Sequence, residues 1–356
     1  MGHAVASSPL GSISQARDMK TTSSDLIGTY PLPKEWSEPT VIEDAVLADG
    51  LELHRAGVAS TNADGQEMLG SAADTTSSPL DRAYFELLER ICTAEATRRA
   101  PPGFGLRTLD GRRAEERPPP DVFRESDAPD RWRYSRSNGV AVHVDWKNAS
   151  LRAFWELCER DRVLRAWYGE VAPRRLPLAV DSTPLGRTRS YEWTAFALPE
   201  TEGGRFSRGV HVCGLLGLPR VEAPLVLGWG ARPSLDEAQD VAAREAMQSL
   251  AFLWGEPLAE ADPPFSPTPM YHLEMFQRPV RHDLLRRWLD GAHTRFRAPA
   301  LPTESDAEVS FVDLTPPWLR GLKVSKAVCP AAMPLTFGDS PLAVHLPPEL
   351  RLHPIA

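Results

Sequence analysis

Apolar residues recur every three or four positions in four segments of the chain, and this spacing places them on one face of an α-helix. The first segment follows Ser78 and Pro79, a capping residue and a proline suited to the first helical position. Another capping residue, Ser234, opens the third segment, and Gly291 ends the fourth. The pattern predicts helices over 80–96, 148–169, 234–255 and 282–291.

Shorter apolar runs separate these helices and predict strands. Helices and strands mix without a regular strand–helix–strand repeat, so the sequence favours an α+β fold in which a sheet is backed by helices. The predicted strands cover 139–145, 176–181, 209–218, 223–229, 308–314 and 322–329.

Segments rich in small, polar or proline residues interrupt this pattern. Residues 1–25 contain much Ser, Gly and Thr, so we expect a disordered N-terminal tail ahead of one domain over 26–356. Within that domain, the prolines and charged residues from 98 to 131 predict a long irregular loop. Loops of that length inside a domain are usually functional or mobile.

The composition is that of a soluble globular protein, with 42% hydrophobic and 25% charged residues. A formal net charge of −8 gives no overall basic surface for nucleic acid. We find no apolar segment that would span a membrane or direct secretion, so we expect a cytoplasmic protein. The four cysteines form no C-x-x-C pair, which argues against a structural zinc site or a redox motif.

Two of the predicted helices carry the same acidic phrase, Glu-x-x-Glu-Arg, and the third carries a related pair. Residues three apart project from one helix face, so each pair presents two oxygen-bearing side chains together. The pairs are Glu86 and Glu89, Glu156 and Glu159, and Glu245 and Gln248.

Each glutamate pair lies at the margin of an apolar stripe, where two carboxylates repel each other and need a cation. Such oxygen ligands suit magnesium, which also binds phosphate oxygens. Arg90 and Arg160 would then pair with phosphates or hold the glutamates in place. A single Glu-x-x-Glu-Arg is usually an exposed salt-bridge ladder, but its repetition leaves a metal–nucleotide site equally open.

Four segments, taken in order, resemble the YcaO-domain family. The central one begins with Ser-Asn-Gly and leads into a helix with Glu-x-x-Glu-Arg-Asp, and the last contains Pro-x-x-x-Pro-Leu-x-Phe-Gly. The resemblance runs from about residue 65 to the C-terminus, and it implies an α+β, YcaO-type domain with mixed sheets and packed helices around a nucleotide cleft. The segments are 77–91, 137–169, 223–249 and 311–338.

In this family ATP binds between these helices and the glutamates hold Mg²⁺. Carried over to this chain, the resemblance makes Glu86, Glu89 and Glu159 the metal ligands. The residues that it implies for nucleotide binding are Ser135, Asn138, Glu156, Arg160, Glu245 and Gln248.

The resemblance also implies the reaction, which is activation of peptide backbone amides by ATP-dependent O-phosphorylation. The end of the chain resembles a shortened form of the proline-rich tail of azoline-forming members, a tail that reaches back to the active site. This favours a cyclodehydratase that forms azolines from Cys, Ser or Thr, with His353 and Pro354 as catalytic candidates. A frayed terminus is the equal alternative for the tail.

Because the resemblance covers a YcaO domain only, we expect a ribosomally made precursor peptide as substrate and a separate E1-like or leader-peptide-binding partner protein. A homodimer is compatible with it. Other members form thioamides or macroamidines, and these remain alternative activities. Ala83 and Arg152 depart from the family's motifs, and the early Gly-Lys-Gly of many members is missing. These departures leave a catalytically silent scaffold as a third alternative.

Overall fold

The computed structural model describes residues 24–99, 101–177, 183–201, 204–258, 261–296 and 308–356. The tail predicted over residues 1–25 lies almost entirely outside these ranges, so it stays a prediction.

Helices form where the sequence repeats its apolar residues at helical spacing. All four predicted helices are confirmed, with ends that shift by at most three residues. The helices in chain order are α1 (Ser24–Thr29), α2 (Leu80–Arg99), α3 (Pro119–Val122), α4 (Trp146–Trp167), α5 (Leu235–Leu253), α6 (Pro269–Gln277) and α7 (Pro279–Leu289).

The described strands pair antiparallel throughout and form several sheets. The strands in chain order are β1 (Thr40–Ala48), β2 (Leu51–Thr61), β3 (Glu67–Asp74), β4 (Phe104–Arg107), β5 (Arg113–Arg117), β6 (Trp132–Tyr134), β7 (Val140–His143), β8 (Arg174–Arg175), β9 (Tyr191–Leu198), β10 (His211–Pro219), β11 (Val226–Arg232), β12 (Ser310–Asp313), β13 (Lys323–Val328) and β14 (Thr336–Gly338).

Three of the sheets position the long helices. One has the order β1-β2-β3, the second β11-β10-β9-β8 and the third β5-β4-β12-β13-β7, while β14 pairs only with β6. The predicted α+β class is therefore confirmed. The segment from 98 to 131 was expected to be irregular, but this is wrong in part, because it contains the end of α2, the β4–β5 hairpin and α3.

Other strand predictions had mixed outcomes. Five of the predicted runs coincide with strands to within a few residues, and these strands are β7, β10, β11, β12 and β13. Of the run predicted over 176–181, Leu176 and Pro177 are not in a strand, and the rest lies outside the described residues.

Each of the three long helices packs closely against the strand that precedes it in the chain. A β-carbon added at Gly70 of β3 would lie 2.0 Å from the carbonyl oxygen of Ala83 in α2. A β-carbon at Gly228 of β11 would lie 2.1 Å from the carbonyl oxygen of Ala242 in α5. Only glycine permits these approaches, so the sequence sets the distance between sheet and helix.

Gly70→Ala is expected to destabilise the protein by about 3 kcal/mol, because the strand must move away from α2 to admit the methyl group. Gly57→Ala is a matched control from the neighbouring strand β2, where the nearest atom to an added β-carbon lies 4.0 Å away. Thermal unfolding of the two variants checks the prediction. Equal melting temperatures would show that the close approach of β3 to α2 is not a constraint.

Buried apolar side chains fill the space between the sheets and these helices. Trp167 and Trp288 are fully buried in a cluster that joins α4, α7, the β9–β11 strands and the C-terminal segment. Leu87, Leu88 and Ile91 of α2 are fully buried in a second cluster. Within the described ranges, none of the helices combines the length and the apolar character needed to cross a bilayer.

Candidate active site

The acidic pairs of α2, α4 and α5 converge in one cleft. In addition to burial, the charge of Glu156 on α4 raises the pKa of Glu89 on α2, and the charge of Glu245 on α5 raises the pKa values of Glu156 and Glu159. Glu86 in turn acts on Glu245, which links α2 and α5. The sequence-predicted acids are therefore brought together from three separate helices.

The first glutamates of two pairs accept a hydrogen bond from the strand that precedes their helix. Ser71 donates its N–H to Glu86 Oε2 at 2.8 Å, and Trp229 donates its N–H to Glu245 Oε2 at 2.7 Å. In the third pair, the backbone N–H of Gly139 is close enough to Glu156 to act on its carboxyl group and oppose the rise in its pKa. These bonds fix the acids in place, since a carboxylate held by a backbone donor has few orientations open to it.

Each of these donors lies at or beside a glycine that packs against its helix. Ser71 follows Gly70, Trp229 lies between Gly228 and Gly230, and Gly139 is itself the glycine beside Glu156. Gly139 has φ of +70°, and an added β-carbon would lie 3.3 Å from Leu157 Cβ of α4. The same close packing therefore positions both the helix and the hydrogen bond that orients its glutamate.

Burial raises the pKa of these carboxyl groups. The pKa of Glu159 rises to about 8 and that of Glu156 to about 7, chiefly because burial disfavours the charged form. The same cause raises the pKa of Glu245 and holds that of Glu89 well above its usual range, where Glu156 adds repulsion. A cation that binds in this cleft would favour the ionised carboxylates and remove their mutual repulsion.

Arg160 lies between the acids of α4 and α5. Its guanidinium nitrogens are 3.5 Å from Glu159 Oε1 and 4.0 Å from Glu245 Oε1. Burial acts to lower the pKa of Arg160, but the neighbouring glutamates outweigh it and the pKa is raised. The arginine therefore stays charged and is available to a phosphate oxygen.

Lys326 of β13 belongs to the same site, although the sequence analysis did not select it. It is buried, and its Nζ donates to the carbonyl oxygens of Asn138 at 2.6 Å and Arg136 at 3.1 Å. Burial lowers the pKa of Lys326 to about 8, and Glu156 and Glu89 oppose that shift. A lysine in the otherwise apolar centre of a predicted strand was the signal that could have found it.

Gln248 is held at the edge of the cleft. Its Nε2 donates to the carbonyl oxygen of Ser71, the residue whose N–H holds Glu86. Gln248 thus ties α5 to β3 at the point where the acids meet. A direct contact between Gln248 and a nucleotide stays a prediction.

Ser135 and Asn138 lie on the turn before β7, on the other side of Lys326 from the acids. Both line a cavity of about 230 Å³. Asn138 is buried, whereas Ser135 is half-buried. Their predicted role in nucleotide binding is not tested by this arrangement.

The C-terminal residues return to the interior of the fold. His353 is buried, its Nε2 lies 2.6 Å from the carbonyl oxygen of Thr336, and its Nδ1 accepts the N–H of Ile355. Burial lowers the pKa of His353 to about 4, and the charge of Arg160 acts in the same direction. Pro354 is buried as well. The tail is thus packed and near the cleft, while a catalytic role for His353 and Pro354 stays a prediction.

The donor set of the cleft consists of carboxylate oxygens, which magnesium prefers. Within the described part of the chain, no three His, Cys, Asp or Glu side chains lie close enough together to hold a metal ion by themselves. Magnesium commonly uses one or two carboxylates and completes its shell with phosphate oxygens and water. The residues therefore fit magnesium bound together with a nucleotide, with Arg160 beside the phosphates.

A family model described as YcaO cyclodehydratase, binding ATP and Mg²⁺, matches residues 119–333. The match covers more than half of the chain, so this chain belongs to the YcaO family. The family binds ATP and Mg²⁺, and the acids and Arg160 of the cleft fit these cofactors. A comparison with curated protein sequences found no match.

Solved structures share the fold. The YcaO protein from Methanopyrus kandleri, bound with AMPPCP and Mg²⁺, is 18% identical, with a TM-score of 0.55 over 81% of this chain and 84% of that one. In the E. coli microcin synthetase McbBCD complex with pro-MccB17 bound, the similar chain is 12% identical, with a TM-score of 0.52 over 86% of this chain and 90% of that one.

A heterocyclase in complex with substrate and cofactor is 16% identical, with a TM-score of 0.50. The similarity covers 87% of this chain but only 52% of the heterocyclase, so this chain corresponds to about half of that protein. At these identities the likeness establishes the fold.

Proposed function

We propose that this chain uses MgATP to phosphorylate the oxygen of peptide backbone amides and so forms azolines from Cys, Ser or Thr of a precursor peptide. The observation that carries the proposal is the convergence of acids from α2, α4 and α5 around Arg160. A group of carboxylates that is largely removed from water, with the buried Glu159 among them and with raised pKa values, is costly to a fold unless it binds a cation.

Each acid has a part in this proposal. Glu86, Glu89 and Glu159 would supply carboxylate oxygens to Mg²⁺ whose shell the triphosphate and water complete, and Glu156 with Glu245 would orient that triphosphate. Arg160 would neutralise charge on the phosphates, and Lys326 would place a second positive charge beside Glu156 and Glu89. Fixed charges in a partly enclosed cleft are effective because they need no reorganisation during the reaction.

The amide oxygen is a poor leaving group, and ATP when bound supplies the phosphoryl group that corrects this. In the overall reaction a peptide side chain forms a bond to the preceding carbonyl carbon. The carbonyl oxygen leaves within phosphate, the side chain and the amide nitrogen lose their protons, and ADP remains. The chain's own residues are required mainly to position and to neutralise charge, and no covalent nucleophile of the enzyme is needed.

The two motif departures do not disrupt the cleft. Ala83 is fully buried on α2 and its carbonyl oxygen faces Gly70, so it does not displace Glu86 or Glu89. Arg152 is exposed on α4 and leaves the acids of that helix in place. The geometry therefore favours an active enzyme over a silent scaffold.

A titration of AMPPCP with Mg²⁺ is the direct test of the nucleotide site. We expect saturable binding that is lost when Mg²⁺ is removed with a chelator. No affinity for AMPPCP or ADP in the presence of Mg²⁺ would favour the scaffold. Mass spectrometry of a co-expressed precursor then distinguishes the products, since an azoline is formed with loss of water and a thioamide with exchange of oxygen for sulfur.

We also infer that a separate leader-peptide-binding protein assists this chain. The McbBCD synthetase, with its peptide bound, is a complex of several proteins. We expect ATP hydrolysis to be weak with the chain alone and to rise at least about tenfold when partner and precursor are both added. Full peptide-dependent turnover by the isolated chain would contradict the inference.

A further inference from the structure

A cavity of about 230 Å³ is bordered by Lys326, whose charge acts on Glu156 and Glu89, and by Leu157, which follows Glu156 on α4. It lies where β7 begins, between the turn at Asn138 and the loop that follows β13. Its wall is mixed: charged side chains such as Arg117, Arg124 and Glu308 line one part of it, and aliphatic side chains line another. The aliphatic side chains include Leu106, Val122, Leu157, Met333 and Leu335.

One polar atom of this wall has no partner. Asn138 is buried, and its Oδ1 accepts no hydrogen bond from any residue that the structure describes. Buried acceptors are almost always satisfied, so such an atom in a cavity wall indicates a ligand that brings a donor. A donor-bearing ligand with an aliphatic part would match both features of the cavity.

The cavity and the acids share one short turn. Lys326 donates to the carbonyl oxygens of this turn and its charge acts on Glu156, while the side chain of Asn138 lines the cavity. Lys326 Nζ uses two of its three N–H bonds on the carbonyl oxygens of this turn, which leaves one for a ligand. The cavity therefore adjoins the phosphate-binding part of the cleft, which is where a phosphoryl acceptor must lie.

We propose that this cavity receives one aliphatic residue of the peptide substrate, whose backbone N–H donates to Asn138 Oδ1. The inference rests on the proposed function, and it assigns Asn138 to the peptide instead of the nucleotide. A nucleobase fits the position less well, because a ribose and an α-phosphate separate the base from the phosphates held at the metal. The peptide amide thus lies beside Lys326 and next to Glu156.

The test uses two small probes with the full chain in the presence of Mg²⁺ and AMPPCP. N-acetyl-L-leucinamide carries the aliphatic side chain and the backbone N–H, while N-acetyl-N-methyl-L-leucinamide has a methyl group in place of that N–H hydrogen. Ligand-observed NMR titration is expected to show binding of the first probe and about tenfold weaker binding of the second. Because the comparison is made on the ligand, it does not depend on the folding of any variant.

Two variants complete the test. Asn138→Leu removes the acceptor and is expected to abolish the difference between the probes, while AMPPCP affinity stays within about twofold. Asn138→Asp keeps an acceptor at the same position and is expected to retain the difference. A higher melting temperature for Asn138→Leu would agree with loss of an unsatisfied buried group.

Three results would overturn the inference. The first is equal binding of both probes or no binding of either while AMPPCP binds, which leaves the proposed function intact. The second is displacement of the probe by adenosine together with weaker AMPPCP binding by Asn138→Leu, which would make the cavity a nucleobase site. The third is failure of AMPPCP itself to bind with Mg²⁺, which would overturn the proposed function as well.

Discussion

A chain in which Gln replaces Glu159 is expected to lose peptide modification by at least about 100-fold and yet to unfold at a higher temperature. Glu159 is buried beside Glu156 and Glu245, and burial raises its pKa to about 8. Glutamine keeps the size of the side chain but removes the charge that the apo fold tolerates poorly. Activity and stability therefore change in opposite directions at this position.

The measurements are mass spectrometry of a co-expressed precursor and thermal unfolding of the purified chain without ligand. Glu89→Gln is expected to behave in the same way, because burial and the charges of Glu156 and Glu86 also raise the pKa of Glu89. Glu192→Gln is the matched control, because Glu192 is exposed on β9. If Glu159→Gln modifies the precursor as well as the original chain does, the site assignment is wrong.

Without ligand, the melting temperature is expected to fall by several degrees as the pH rises from 6.5 to 8. The folded pKa values of Glu159 and Glu156, about 8 and about 7, exceed the ordinary value of 4.5. The folded chain thus holds protons that the unfolded chain has released, and their stabilising contribution is lost as the pH passes through the folded values. Burial also lowers the pKa values of His272, His282, His293 and His353, the last to about 4, and this acts in the opposite direction up to about pH 7. The fall is therefore expected to be steepest between about pH 7 and 8.

Differential scanning calorimetry over this pH range, with and without Mg²⁺ and AMPPCP, checks the prediction. With both ligands the fall should disappear, because the metal binds the ionised carboxylates and lowers their pKa values. The Glu159→Gln variant should show a shallower fall without ligand. A melting temperature that stays constant or rises from pH 6.5 to 8 in the free chain would exclude the proposed protonation of the acids.

The helices could be predicted because their apolar spacing is set by the chain itself. α2, α4 and α5 each bury one regular stripe, and capping by Asp145 and Ser234 defines where α4 and α5 begin. Spacing also placed the two acids of each pair on one helix face. The three helix faces meet because their helices pack closely at Gly70, Gly139 and Gly228. This packing joins distant parts of the chain, so the sequence of one segment does not predict it.

The strands β1 to β3 and the contribution of Lys326 could not be predicted in this way. β1 alternates exposed and half-buried residues with charged ones among them, so its hydrophobic pattern is weak. β4 and β5 are short, and all of β5 is exposed. Lys326 is significant only because the turn at Asn138 and the acids of α2 and α4 surround it, which is a tertiary relation.

The three backbone groups that lie beside the first glutamates belong to different layers of the molecule. Ser71 is in β3, Gly139 precedes β7 and Trp229 is in β11, and these strands lie in separate sheets. A ligand that engages all three acids would therefore act as a noncovalent crosslink among layers that share few backbone hydrogen bonds. Nucleotide binding is therefore expected to make unfolding of the three layers more cooperative. In the free chain, we expect local opening of the structure to begin between these layers, at the cleft.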